Sequence, residues 1–265
     1  SYIHDECQRI LEMEKKRIED SLLLLDENFS RGGLEKADLV LKDARIVNVF
    51  TEEIIRGDIA IQDGIIAGIG SFHGKEERDL AGRYVCPGFI DSHLHLESTL
   101  VTPAELVTAA SRHGTTTFIV DPHESANVSG LAGIDYILDQ TEDVKANVYV
   151  MMPSCVPATA IDDNGCTLTA EDMVPYLHNS RILGLGEVMD SISVVQGEKS
   201  MHDKLELFEG RIRDGHAPFL EEGDLQAYAM AGIATDHECS FFDYAMRERR
   251  NGLTILVREG SAARN

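Results

Sequence analysis

The run Cys86-Pro-Gly-Phe-Ile-Asp-Ser-His-Leu-His-Leu-Glu97 decides the fold. An apolar lead ends in a polar tip that carries His93 and His95. Val85, Phe89 and Ile90, punctuated by Pro87 and Gly88, read as a short strand. Residues i and i+2 of a strand point the same way, so both imidazoles face one side of the strand's end. Two imidazoles placed like that can share a metal ion. Taken alone, the run fits two structural histidines equally well.

Downstream, apolar strands alternate with helical stretches. Strand candidates fall at 85–92, 115–121, 147–153, 182–187, 211–215, 232–236 and 253–258, with helices such as Pro103–His113 and Glu222–Ala231 between them. Near-continuous apolar strands separated by helices imply a parallel sheet covered by helices, an α/β fold. The short spacing fits an incomplete TIM-like (β/α) barrel of about seven strands.

Upstream the pattern differs. Ala37–Phe50 holds two short strands, and Asp58–Ile69 reads as a hairpin turning at Asp63-Gly64. A small antiparallel sheet, half of a sandwich, is expected there. Before it, Cys7, Ile10, Leu11, Ile18, Leu22 and Leu25 recur at helical spacing over 5–29, with Asp5 as N-cap. The expected organisation is an N-terminal helix at 1–33, the half-sandwich at 34–84 and the barrel at 85–265.

Among 265 residues, 46 are acidic and 24 basic, a net charge of −22. That balance argues against nucleic acid and against anionic membranes as partners. No apolar run is long enough to span a bilayer. Cys7, Cys86, Cys155, Cys166 and Cys239 are odd in number, scattered and without a C-x-x-C pair, so a reducing cytoplasm is expected.

Active sites of such barrels lie at the C-terminal strand ends. There the sequence places Asp91, His93, His95 and Glu97; then Asp121, His123 and Glu124; then Ser154 and Cys155; then Glu187; then Asp214 and His216; then Asp236, His237 and Glu238; then Arg258, Glu259 and Ser261. His93, His95, Glu187, His216 and His237 together make a four-histidine, one-carboxylate set that suits a transition metal or a metal pair. A carboxylate can bridge two such ions.

At this point the sequence resembles the amidohydrolase superfamily and, within it, the adenine deaminase family. The general features are Pro87-Gly-Phe-Ile-Asp-Ser-His-Leu-His95 and the small sheet before it. The more specific strings are Asp121-Pro-His-Glu-Ser-Ala-Asn127, Gly186-Glu-Val-Met-Asp190, Asp214-Gly-His-Ala-Pro218, Thr235-Asp-His-Glu-Cys239 and Arg258-Glu-Gly-Ser-Ala-Ala-Arg264. Phe219 stands where the family pattern leads one to expect glycine.

The resemblance implies two divalent metal ions, manganese or iron before zinc. His93 and His95 would hold one, His216 and His237 the other, with Glu187 bridging. Asp121 would lie beside them to move protons or to orient the hydroxide, with His123 assisting. Glu124, Arg258, Glu259 and Ser261 would line the substrate pocket. The implied reaction is hydrolytic deamination of adenine to hypoxanthine and ammonia by a metal-activated hydroxide, in purine salvage. The implied partner is this small purine, with a homodimer as an option. The other zinc-deaminase design pairs H-x-E with P-C-x-x-C. His95-Leu-Glu97 matches the first half, but the second is absent.

The resemblance also implies an eighth barrel strand, ending in an aspartate, beyond Asn265. The chain is therefore expected to be a fragment of a longer protein. Two alternatives follow: a catalytically inert metal-binding fragment, or an amidohydrolase acting on another cyclic amidine or amide.

Overall fold

The computed structural model describes residues 37–159 and 161–260. The helix expected over 5–29 and the candidate Ser261 lie outside the described residues. The described chain falls into two compact units that divide between Gly88 and Phe89.

The first unit is a five-stranded sheet built on β1 (Ala37–Asn48). β1 pairs antiparallel with β2 (Glu53–Gln62), which pairs antiparallel with β3 (Ile65–Gly70) across Asp63-Gly64. Both turn residues have positive φ, 52° and 78°, as a two-residue hairpin turn requires. β4 (Gly74–Asp79) and β5 (Tyr84–Val85) both pair with β1 in parallel. The sheet is thus mixed rather than antiparallel. Residues 37–48 are also one bulged strand, not two. Asp43, at φ 50°, breaks the register between Leu41 and Ala44 without ending the strand. The buried Asp58 carboxylate secures the bulge, accepting from Asp43 N–H at 3.1 Å and from Lys42 Nζ at 2.5 Å.

The second unit alternates strands and helices in chain order: β6 (Phe89–Leu94), α1 (Pro103–Ser111), β7 (Thr115–Val120), α2 (His123–Ser129), α3 (Leu131–Gln140), β8 (Asn147–Met152), α4 (Ala170–Met173), β9 (Ile182–Val188), α5 (Ser191–Gln196), α6 (Lys199–Leu207), β10 (Ile212–Gly215), α7 (Glu222–Met230), β11 (Thr235–Asp236), α8 (Phe242–Arg250) and β12 (Thr254–Ile255). β6 through β10 form one parallel sheet in sequential order. Phe118, Val120, Val150, Met152 and Leu185 project from it into a core closed by Val107, Ile134, Ile137, Phe208 and Tyr228. This is the expected curled, helix-covered part of a barrel.

Two details depart from expectation. The first barrel strand begins at Phe89, not residue 85, because Val85 pairs with Ile46 in the small sheet and Pro87 has no N–H for a ladder. Of the seven strands, five share one sheet, while β11 and β12 form a separate two-stranded parallel pair. Side-chain bonding explains the interruption. Gly215 N–H donates to the Thr235 hydroxyl at 3.1 Å instead of to a carbonyl, and the Thr235 hydroxyl donates to Asp214. One backbone bond, Ala234 N–H to the Arg213 carbonyl at 3.0 Å, still stitches the strands together.

Strand β9 passes so close to β10 that a Cβ on Gly184 would collide with the Ile212 backbone carbonyl. Backbone in a ladder cannot step aside. Gly184→Ala should therefore destabilise the protein by about 3 kcal/mol, read as a lowered denaturant midpoint.

Candidate metal centre

Every strand from β6 to β11 delivers a polar side chain to one edge, and Glu187 at the end of β9 sits in the middle. Its carboxylate is 3% exposed. Oε1 lies 2.8 Å from His93 Nε2 and 2.8 Å from His95 Nε2, and those two nitrogens are 3.2 Å apart. Oε2 lies 3.0 Å from His216 Nδ1, and His237 Nε2 is 3.6 Å from Oε1. The structure therefore brings the four histidines of the predicted set around its one carboxylate.

The outer bonds set the tautomers. His93 Nδ1 is 2.9 Å from Asp214 Oδ2, and His95 Nδ1 is 2.8 Å from the Asp121 carbonyl. Carboxylates and carbonyls only accept, so in the neutral rings both Nδ1 atoms carry the hydrogen and both Nε2 atoms present lone pairs inward. Three electron-rich atoms then face one another at about 3 Å. Glu187 Oε1 has no well-aligned hydrogen bond of its own. Only positive charge can hold such an arrangement together.

Without a cation that charge is protons. Burial opposes ionisation of His93, but its bonds to Asp214 and Glu187 prevail and raise it to about 10. His95 rises to about 9 through Glu187, again against burial. Burial works against the Glu187 charge too, yet bonds from His216, His93 and His95 hold its carboxyl far below the usual range. His237 moves the other way, lowered by burial and by the His93 charge stacked 3.8 Å from it, centroid to centroid. An ion of two positive charges meets the same need with the same donors, and imidazole plus carboxylate suits transition metals. Four overlapping triads within the set can hold one: His93–His95–Glu187, His93–Asp214–His237, Glu187–His216–His237 and Asp121–His123–Glu187.

Asp121, at the end of β7, is buried beside this group. Oδ2 accepts the Glu187 N–H at 2.7 Å, while Oδ1 has no hydrogen-bond partner and lies 3.6 Å from His123 Nδ1. Glu124 is exposed and accepts the Ser98 hydroxyl at 2.5 Å. Arg258 donates to Glu238 Oε1 at 2.5 Å, and Glu259 is exposed.

Two neighbours stood among the strand-end residues of the sequence without an assigned role. Asp214 orients His93, and Glu238 Oε1 lies 3.6 Å from His237 Nε2 and 3.9 Å from His216 Nδ1. The signal for Asp214 was its position two residues before His216 on a strand, which puts both on one side.

Gly186 lets Asp121 approach. A Cβ there would strike Oδ2 of the carboxylate, the movable end of a side chain rather than backbone. Gly186→Ala should leave the protein folded with a loss of about 1–3 kcal/mol in chemical denaturation. It should also expose the Glu187 amide to faster hydrogen exchange.

An adenine deaminase of Desulfitobacterium hafniense is 60% identical over 233 residues, 88% of this chain and 41% of that protein. One from Clostridium acetobutylicum is 49% identical over 235 residues, again 41% of its length. The chain thus spans about two fifths of the length of the curated relatives it matches. The fold is shared with an N-acyl-D-glutamate deacylase of Bordetella bronchiseptica, solved with zinc and a phosphonate inhibitor, at TM-score 0.55 and 17% identity, covering 83% of this chain and 57% of the other. Residues 84–259 match the amidohydrolase family, more than half of the chain, and the protein belongs to that family.

Proposed function

We propose that the protein hydrolytically deaminates adenine to hypoxanthine and ammonia, as in purine salvage, at a divalent metal centre held by His93, His95, Glu187, His216 and His237. The observation that carries this reading is the set of inward lone pairs on His93, His95 and Glu187, 2.8–3.2 Å apart. The identity to curated adenine deaminases supports the choice of substrate. Manganese or iron, with zinc third, and a pair of ions bridged by Glu187 are the finer parts of the proposal.

A divalent ion held by these residues would lower the pKa of a water molecule toward neutrality and so supply the nucleophile. The chain's own residues do the rest. Asp121 is oriented by the bond its Oδ2 accepts from the Glu187 amide. Its free Oδ1 can take a proton from the attacking water and return it to the departing amine, with His123 at 3.6 Å as relay. On the opposite side Glu238, fixed by Arg258 and close to His216 and His237, offers a carboxylate to a ring N–H of the purine.

The complete protein loaded with manganese or iron should release ammonia from adenine in preference to guanine and cytosine. A metal-loaded sample inert toward adenine would sink the assignment. His93→Ala should cost one metal equivalent by elemental analysis, and unchanged content would remove His93 from the ligand set.

Metal uptake should also release protons. With His93 near 10 and His95 near 9 in the metal-free protein, both rings are charged at pH 7. Deprotonation precedes ligation, so apparent affinity should rise with pH, by up to about tenfold per pH unit for each proton displaced, between roughly pH 6 and 9. Calorimetry in buffers of different ionisation heat should show about two protons released at neutral pH.

A further inference from the structure

Behind the histidines lies a second buried carboxyl pair. Asp236 is fully buried and accepts three backbone amides: Ala217 on Oδ1 at 2.7 Å, and Glu238 and Cys239 on Oδ2 at 2.8 and 2.9 Å. Ala217 follows His216, and Glu238 follows His237. One carboxylate therefore ties together the two loops that carry the second histidine pair.

Glu248 of helix α8 is fully buried as well, and neither of its carboxyl oxygens accepts a hydrogen bond. Its ligand atoms, those of Asp236 and the Cys239 sulfur lie within 4.8 Å of one another. Two ionised carboxylates cannot share so dry a space, so one must be neutralised by a proton or a cation. A carboxylate has about four acceptor directions. Three on Asp236 are taken by amides, and the one remaining can accept a single O–H donor.

We infer that Glu248 is a neutral acid that donates its proton to Asp236 and so positions the loops bearing His216 and His237. Burial, reinforced by the Asp236 charge, supports this by raising Glu248 to about 8. The other titratable groups facing it are Cys239 from the loop, and Tyr244 and Arg247 from its own helix. Tyr244, one turn earlier, clamps the same region. Its hydroxyl donates to the Ala217 carbonyl at 2.5 Å and accepts the Leu220 N–H at 2.8 Å. Helix α8 thus reaches the metal side through two buried polar side chains. Glu248 touches no reacting atom and is a positioning residue. Only its metal readout rests on the proposed metal centre.

The test uses the complete protein with Glu248→Gln, which keeps a donor, and Glu248→Ala, which removes it. With MnCl2, the Gln variant should match the unmodified protein, and the Ala variant should bind the second ion at least about tenfold more weakly. In metal-free protein, thermal midpoints are compared across pH. The folded state keeps a proton that the unfolded chain releases near pH 4.5, so unmodified protein loses stability as pH rises to about 8. The midpoint advantage of Glu248→Gln should widen over that range and then level off. Parallel midpoint curves would overturn the inference, as would a Gln variant as impaired as Ala. A metal ion beyond the expected pair, lost on Glu248→Gln, would make the site a cation site and overturn it too. If Ala does not fold, the Gln comparison across pH decides alone. If the unmodified protein takes up no manganese, the metal-centre reading fails while the pH comparison still judges Glu248.

Discussion

The barrel unit depends on one buried negative charge. Glu187 is almost wholly removed from water, and a carboxylate there is tolerated only if opposite charge surrounds it. Four imidazoles from three strand ends do so. Because His93 and His95 come from the end of β6, His216 from that of β10, His237 from that of β11 and Glu187 from β9, the charge is satisfied only when these four strands are in place together. The requirement that makes the site costly in its metal-free form is the one that suits it to a divalent ion.

Around that centre, three aspartates act as anchors. Asp121 holds the Glu187 amide, Asp214 holds His93, and Asp236 holds the loops after β10 and β11. Each accepts from groups that are far apart in sequence, so each converts a loose strand end into a fixed one. A tyrosine does the same from outside the sheet: the Tyr228 hydroxyl accepts the His216 N–H at 2.9 Å and donates to the Val188 carbonyl at 2.6 Å. Ligand geometry is set as much by these outer partners as by the ligands themselves.

Much of this was legible before any coordinates. The H-x-H pair, the apolar strands and the polar residues after each of them locate the edge where chemistry occurs, because strand periodicity and barrel topology leave little choice. Other features were hidden. The lone strand 37–48 looked like two because a left-handed Asp43 mimics a turn. Adjacent side chains on a helix diverge, so Glu124, next to His123, reaches a different partner and accepts the Ser98 hydroxyl. Phe219 falls at φ 57°, a conformation glycine adopts freely, which gives the expected glycine a physical reason.

By itself, the sequence determined which residue types stand at the strand ends and hence the class of chemistry available, since those follow from local periodicity. Only the tertiary structure decided which of them meet. Asp214 and His93 are 121 residues apart yet bonded, and Glu248 reaches Asp236 from a helix whose pattern of charges reads as solvent-facing. Contacts of that kind depend on how strands register and loops fold back, and no spacing along the chain encodes them.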